Sequence, residues 1–245
     1  MLLVEAGYEV EVSPDLLPVT LARDGVVLIQ QGSVAEVRAL LDRWTVPVDH
    51  PHQVADGLTV IAPHVRANDG DNEAGFTDLS LTPHTDRSLH AQPPSLLATL
   101  MLTPARAGGS ATLVDGARVL RIVRHRAEDA AIAGLRLRTT TSQPDPPVVE
   151  FIPGHARIRY RDDRIADPYS PDGRTDLVAD LRRLIFETAR SLHLGAGDGY
   201  LVHNHRFLHG RTAFTGDRSL ARLLARVNSD HPYAWLNRGF SIASS

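Results

Sequence analysis

Three residues with metal-binding side chains stand out by type and spacing: His84 and Asp86, separated by one residue, and His209 far downstream. Pro83 favours an extended or turn conformation directly before the His-x-Asp pair. Two imidazoles and one carboxylate can bind one face of a metal ion and leave the opposite face open, which is the ligand set of non-haem Fe(II) sites that activate O₂. The three residues predict a metal centre, provided that the fold brings them together.

The absence of cysteine narrows the possible chemistry. With no Cys among 245 residues, disulfide frameworks, thiolate metal sites and cysteine nucleophiles are excluded, and His, Asp and Glu are the strong ligands that remain. The N-terminal sequence lacks the basic region and apolar run of a signal peptide. No apolar run approaches the roughly 18 residues of a membrane helix. We therefore expect a cytoplasmic protein with no membrane partner.

The charge pattern gives no indication of a polyanionic partner. The formal net charge is −3, the basic and acidic residues are interspersed, and the basic residues other than His are all Arg. Nucleic-acid binding is therefore not expected. Arg is also the side chain whose planar guanidinium matches a carboxylate with two parallel hydrogen bonds.

Short strands separated by Gly and Pro turns dominate the chain and must position the three candidate ligands. Ser33 and Glu36 form a capping-box pattern that begins an amphipathic helix ending near Trp44. Further elements are predicted from the apolar patterns: strands at 26–29, 58–61, 96–102, 110–114, 135–141, 148–152, 156–160, 200–203 and 220–227, and helices at 117–126 and 176–193.

This order of elements predicts one domain over residues 1–245. The expected fold is mainly β with flanking helices, a sandwich or jelly roll. The segment 46–81 is interrupted by Pro47, Pro51 and Pro63 and rich in Gly and Asp near its end. Because long irregular loops in compact domains often have a function, this segment is predicted to be a substrate lid, with simple disorder as the alternative.

Three motifs, in order along the chain, resemble the signatures of one enzyme family. They are His84-Thr85-Asp86, the Gly108–Gly116 stretch with its Gly-Gly pair, and the Asn204–Phe214 stretch that contains His209 and Gly210. Together they look like the taurine dioxygenase and clavaminate synthase-like group of 2-oxoglutarate-dependent oxygenases. The resemblance covers about residues 80–228.

The resemblance implies a double-stranded β-helix, the jelly-roll core of that group. It also implies that His84, Asp86 and His209 hold Fe(II), with 2-oxoglutarate and O₂ as co-substrates. The open face of such a centre accommodates the 2-oxo acid and O₂, which a fourth protein ligand would block. Related halogenases have Gly or Ala in place of the carboxylate, so Asp86 argues for an oxygenase outcome over chlorination.

The co-substrate needs a cation and a hydroxyl at its distal carboxylate. By resemblance, Arg218 at the start of the last core strand is the cation, and Arg222 further along that strand lies near the substrate; a gap in this segment would transfer the first role to Arg222. Thr112 is the candidate hydroxyl, with Ser110 as the alternative. Many relatives have the Thr one position earlier, where this chain has Ala111.

The predicted reaction is hydroxylation of a C–H bond with release of succinate and CO₂. The neighbourhood of His84 looks closest to the amino-acid-hydroxylating branch, which suggests a free or carrier-linked amino acid or a related natural-product intermediate as the small-molecule substrate. Desaturation or cyclisation by the same family stays open. So do two readings from other classes: a Zn-dependent hydrolase at the same ligands, and a non-catalytic jelly-roll binding protein.

Overall fold

The computed structural model describes residues 1–5, 11–54, 57–63, 75–139 and 144–242. Its strands are β1 (Leu2–Glu5), β2 (Val26–Gln30), β3 (Thr45–Pro47), β4 (Leu58–Ile61), β5 (Leu81–His84), β6 (Leu96–Thr103), β7 (Ala107–Gly108), β8 (Ala111–Asp115), β9 (Arg136–Thr139), β10 (Val149–Ile152), β11 (His155–Ile158), β12 (Ala166–Tyr169), β13 (Arg190–Leu192), β14 (Gly199–His203), β15 (Phe207–Arg211), β16 (Phe214–Thr215), β17 (Ser219–Val227) and β18 (Phe240–Ser241).

The α-helices begin and end where local chemistry dictates. They are α1 (Leu17–Asp24), α2 (Val34–Asp42), α3 (Gly116–Arg124), α4 (Asp129–Ala133) and α5 (Thr175–Glu187). At α2 the predicted capping box is present: the Ser33 hydroxyl accepts from the Glu36 N–H, and the Glu36 carboxylate accepts from the Ser33 N–H. Gly25 ends α1 in the left-handed conformation that glycine adopts without strain.

Two antiparallel sheets face each other and form the jelly-roll core. The larger has seven strands in the order β1-β2-β14-β6-β17-β3, with β4 also paired to β17, and the smaller has the order β13-β8-β15-β5. Their inner faces share one apolar cluster, to which the large sheet contributes Leu97, Val202 and Leu224 and the small sheet contributes Leu113 and Phe207. The predicted double-stranded β-helix is confirmed.

Helices cover the outer face of each sheet. Leu17 and Leu21 of α1 are fully buried against the large sheet in a cluster that also contains residues of α2. On the small sheet, Leu208 packs with apolar residues of α3, α4 and α5. Replacing a fully buried leucine such as Leu21 with Ala is expected to cost about 2–5 kcal/mol of stability. These outer layers fix the two sheets that hold the site.

The prediction for the last helix was too long. Instead of continuing to His193, α5 ends at Glu187, where the Thr188 hydroxyl donates to the Leu184 carbonyl. The chain then forms β13, which pairs with β8 through Arg190 opposite Leu113. Leu192 of β13 also packs towards the core, so the apolar pattern of the helix continued into this strand. Strand pairing in the folded protein overrode the helical pattern.

Candidate active site

The three predicted metal ligands form one buried cluster. His84, Asp86 and His209 each offer a ligand atom, and these atoms all lie within 4.8 Å of one another. The His84 Nε2 atom is 4.0 Å from Asp86 Oδ1, and the two imidazole centroids are 4.4 Å apart. Residues that are 125 positions apart in sequence thus share one site, as the ligand types predicted.

Strand pairing explains how the two histidines meet. His209 of β15 lies directly opposite His84 of β5, and Arg211 lies opposite Leu81, so β5 has one extra residue between the two pairs. This is a β-bulge, and it contains Pro83, which cannot donate to the ladder. Because of the bulge, Leu81 and His84 face the same side as His209 and Arg211, and all four line one cavity.

The protonation states of the cluster suit metal binding. Burial lowers the pKa of His84 well below its usual value and also lowers that of His209. For Asp86 burial acts in the opposite direction, but the positive charge of Arg222 and smaller effects of the histidines prevail and lower its pKa to about 2. At neutral pH the cluster therefore offers two neutral imidazoles and one ionised carboxylate, the forms that bind a metal.

The orientation of the ligands also fits a metal ion. The His84 ring is 2.9 Å from the Thr82 carbonyl through Nδ1, which makes Nδ1 the donor and leaves Nε2 free to bind a metal. Among the described residues, His209 Nδ1 is buried without a hydrogen-bond partner, whereas Asp86 Oδ2 lies 3.1 Å from Arg222 Nη1. Since buried polar atoms are normally satisfied, the unpartnered nitrogen indicates that the site is built for a group that supplies a contact.

A cavity of about 400 Å³ opens from this cluster between the two sheets. Strand side chains alternate between the faces of a sheet, so the inward positions can be read from the strands that flank the cluster. On β17 these are Leu220 and Arg222, and Arg218 just before the strand has the same orientation. His50 and His52, in the segment predicted as a lid, line the cavity too; residues 55–56 and 64–74 of that segment lie outside the described residues.

Two buried arginines of the cavity wall, Arg211 and Arg218, flank the aromatic ring of Phe214. The Cζ atoms of Arg211 and Arg218 each lie 5.3 Å from the centroid of Phe214. Burial and the charge of Arg218 lower the pKa of Arg211 to about 10, and burial lowers the pKa of Arg218. Arg218 Nε and Arg211 Nη1 have no hydrogen-bond partner among the described residues. Unpaired buried cations are costly, so this end of the cavity is suited to an anion.

The structure corrects the assignment of Thr112. In β8 the inward residues are Ala111, which lines the cavity, and Leu113, whereas Thr112 lies opposite Gly210 and exposed Ser191 on the other face. The sequence prediction assumed a shift of one residue that does not occur. Ser110, the alternative, is likewise absent from the cavity wall.

Two other hydroxyl groups occupy the wall near Arg218, and the sequence analysis missed both. Tyr200 of β14 and Thr99 of β6 are direct cross-strand partners, line the cavity and share a side-chain hydrogen bond. Burial raises the pKa of Tyr200 to about 12, so its phenol is a hydrogen-bond donor at neutral pH. Side chains alternate between the two faces along β14 and β6, so the sequence indicates which residues share a face with Tyr200 and Thr99. Only the strand register shows that this face points inward.

Arg222 joins the metal cluster to the segment before β4. Its Nη1 donates to Asp86 Oδ1 at 3.2 Å, and its Nη2 lies 3.0 Å from His50 Nε2. Burial, together with the charge of Arg222, lowers the pKa of His50 to about 4, so the imidazole is neutral and can accept this bond. The predicted position of Arg222 beside the substrate space is consistent with its place in the cavity wall.

Arg161 is a further cavity residue that the sequence did not single out. It follows β11 in a segment held against the His-x-Asp motif: Tyr160 accepts a hydrogen bond from the Thr85 N–H and donates its own N–H to the Thr85 hydroxyl. The positive charge of Arg161 contributes to lowering the pKa values of His84 and His209. Its guanidinium therefore lies near the metal-binding cluster.

Comparison with known protein families gives a match over residues 15–226 to the family described as taurine catabolism dioxygenase TauD, TfdA family. The chain belongs to the TauD/TfdA family. The match contains the described strands that carry the three ligands and the five arginines of the cavity wall. A comparison with curated protein sequences gives no match.

Solved structures with the same fold come from TauD-like oxygenases. Asparagine oxygenase, in complex with Fe(II), 3-hydroxyasparagine and succinate, is 18% identical with a TM-score of 0.65 and covers 85% of this chain and 77% of its own. PvcB, an Fe, α-ketoglutarate-dependent oxygenase from an isonitrile synthetic pathway of Pseudomonas aeruginosa, is 16% identical with a TM-score of 0.64 and coverages of 88% and 81%.

The non-haem iron oxygenase OrfP, in complex with Fe and α-ketoglutaric acid, is 19% identical with a TM-score of 0.52 and coverages of 71% and 57%. As a TauD/TfdA family member the protein is a dioxygenase that uses Fe(II), 2-oxoglutarate and O₂. In the described part of the chain, no helix is both long and apolar enough to cross a membrane.

Proposed function

We propose that the protein hydroxylates a C–H bond of an amino acid or an amino-acid-derived natural-product intermediate, with His84, Asp86 and His209 as the Fe(II) ligands. When bound, Fe(II) supplies the redox chemistry with O₂ that couples conversion of 2-oxoglutarate into succinate and CO₂ to oxidation of the substrate. The two neutral imidazoles and the ionised Asp86 support this ligand assignment. Family membership argues against the hydrolase and the non-catalytic binding protein.

The observation that carries the proposal is the buried Arg218, whose Nε has no hydrogen-bond partner among the described residues and which lines the same cavity as the metal cluster. Its guanidinium is the donor for the distal carboxylate of 2-oxoglutarate, because a bidentate charge-assisted pair relieves the cost of the buried cation. Tyr200 and Thr99 supply the hydroxyl groups in place of Thr112. Arg222, which is already paired with Asp86, is less available for this role and lies on the substrate side.

The residues of the cavity wall bind and orient the ligands, and they exclude water from the reacting groups. Leu220 and Ile61 contribute apolar surface to the cavity, which limits water near the reacting groups. The charge of Arg222 lowers the pKa of Asp86 and so keeps this carboxylate ionised, and Arg222 also lines the cavity. The amino-acid substrates of the asparagine and arginine oxygenases with this fold suggest the substrate class.

Anaerobic absorbance tests the proposal directly. Wild-type protein given Fe(II) and then 2-oxoglutarate is expected to develop a visible charge-transfer band, which His84→Ala should lack. Arg218→Gln should develop the band only at a 2-oxoglutarate concentration raised about 10- to 100-fold. Succinate release in air across amino acids and carrier-linked amino acids then identifies the substrate. A product that gains one oxygen atom indicates hydroxylation, and one that loses two hydrogens indicates desaturation or cyclisation.

A further inference from the structure

The cavity wall carries far more positive than negative charge. Among the described residues that line it are five arginines and one carboxylate, that of Asp86. The histidines of the cluster are neutral. Asp163, which lies outside the wall, forms an ion pair with Arg161 and compensates one further positive charge, so three positive charges remain in excess. Fe(II) and fully ionised 2-oxoglutarate have equal and opposite charges, and their binding leaves this excess unchanged. The third occupant of the cavity, the substrate, is therefore expected to carry negative charge.

Arg161 is the cation best placed to bind it. The hydrogen bonds of Arg161 within the described residues both leave from Nε, to Asp163 Oδ1 at 2.8 Å and Oδ2 at 2.7 Å. Asp163 is itself fixed, because its Oδ1 accepts from the Ile165 N–H. This carboxylate orients the guanidinium and leaves its terminal nitrogens for a ligand, as in a preorganised binding group.

The other four arginines of the described cavity wall have roles or contacts elsewhere in the cavity. Arg218 and Arg211 flank Phe214 at the 2-oxoglutarate end, Arg222 pairs with Asp86, and Arg87 Nη2 lies 2.6 Å from His90 Nε2. Arg161 enters the cavity from the segment after β11, whereas Arg222 enters from β17 of the large sheet. A substrate that touches both has two separate guanidinium contacts.

We propose that the substrate is an acid with two anionic groups: an amino diacid or its N-acyl derivative, whose second oxyanion Arg161 binds. This inference rests on the proposed function, in which Arg222 lies on the substrate side of the cavity, and it assigns the first acidic group of the substrate to Arg222. Carboxylate, sulfonate and phosphate share the required chemistry, and binding tests with each distinguish them.

Calorimetric titration of the anaerobic Fe(II)- and 2-oxoglutarate-loaded protein tests the proposal. It compares the affinity for each acid with the affinity for an uncharged analogue of the same carbon skeleton. The probes are L-aspartate against L-asparagine, L-glutamate against L-glutamine, and their N-acetyl forms, with L-cysteate and O-phospho-L-serine against L-serine. At least one acid is expected to bind about 10- to 100-fold more tightly than its neutral partner. The acid with the largest ratio identifies the oxyanion.

Arg161→Gln should remove this preference while leaving the affinity for the neutral partner and for 2-oxoglutarate unchanged. Arg182→Gln is the matched control, because Arg182 forms a surface ion pair with Asp162 away from the cavity. Arg161→Glu should reverse the preference towards L-ornithine and L-arginine.

The proposal is overturned if no acid binds better than its neutral partner, if no acid binds at all, or if Arg161→Gln keeps the preference. Absence of the charge-transfer band in wild-type protein would instead count against the proposed function. The same calorimetric titration of protein without Fe(II) and 2-oxoglutarate would then still report the acid preference, which separates the two failures.

Discussion

The side-chain amide of Asn204 holds the backbone of Asp86 at both of its polar groups. Its Oδ1 accepts from the Asp86 N–H at 2.8 Å, and its Nδ2 donates to the Asp86 carbonyl at 3.0 Å and to the Pro94 carbonyl at 2.9 Å. Asn204 is 1% exposed and lies between β14 and β15, the strand that carries His209. Asn204 thus connects the segment that contains Asp86 to the chain that leads into His209.

Asn204→Ala is expected to weaken Fe(II) binding about 10- to 100-fold, because supporting groups around metal ligands have effects of this size. The unsatisfied Asp86 backbone should also lower the free energy of unfolding by about 1–3 kcal/mol. Anaerobic Fe(II) titration and urea unfolding measure the two effects. Asn228→Ala, at the end of β17, is the control and should change neither. An unaltered Fe(II) affinity in folded Asn204→Ala would contradict the role.

Tyr200→Phe should raise the dissociation constant of 2-oxoglutarate about 10- to 100-fold, because a hydrogen bond to a charged group contributes about 1.5–3 kcal/mol. Titration of the charge-transfer band gives this constant without a substrate. Thr112→Val is the matched control, and its hydroxyl faces away from the cavity. A larger effect for Thr112→Val than for Tyr200→Phe would restore the sequence-based assignment.

Gly109→Ala should disturb the 2-oxoglutarate end of the cavity. Gly109 has φ +72°, and a Cβ there would lie 3.1 Å from Arg218 Nε. The left-handed backbone costs an alanine about 1–2 kcal/mol, and contact with Arg218 should also weaken 2-oxoglutarate binding. Gly154→Ala separates the two effects, because Gly154 has φ +74° and nothing within 4 Å of the added Cβ. Equal 2-oxoglutarate affinity in the two variants would exclude the contact.

Acid should destabilise the fold through its buried histidines, of which His203 and His205 lie outside the metal cluster. Burial lowers the pKa of His203 to about 4 and that of His205 well below its usual value. Since an unfolded histidine titrates near 6.5, the unfolded state binds more protons as the pH falls from about 6.5 to 4, and the free energy of unfolding falls over that window. The stability is fully present above that range, and His203 alone accounts for about 3 kcal/mol.

Urea unfolding of the metal-free protein at several pH values measures this loss. His203→Gln should reduce the pH dependence between 6.5 and 4 and lower the stability at pH 7.5, because it removes the imidazole that contacts the Leu236 carbonyl at 2.9 Å. His193→Gln, at an exposed position, should leave the dependence unchanged. A wild-type stability that stays constant down to pH 4 would refute the prediction.

The sequence by itself determined the local elements and the ligand types. Ser33 and Glu36 predicted the start of α2, the apolar run from Leu96 predicted β6, and His84, Asp86 and His209 predicted the cluster that the structure forms. These signals are local, or they depend on side chains whose chemistry has few other uses. A capping box and a His-x-Asp pair can be recognised without knowing what lies across the sheet.

Only the tertiary structure decided which residues share the cavity. Thr112 and Ala111 alternate in one strand, and the pairing of β8 with β15 selects Ala111 as the inward residue. The bulge opposite His209, the Tyr200–Thr99 pair and the clamp of Asn204 on Asp86 each join segments that are distant in sequence. Period-two alternation gives two possible faces for a strand, and only its neighbours in the folded sheet determine which face is buried.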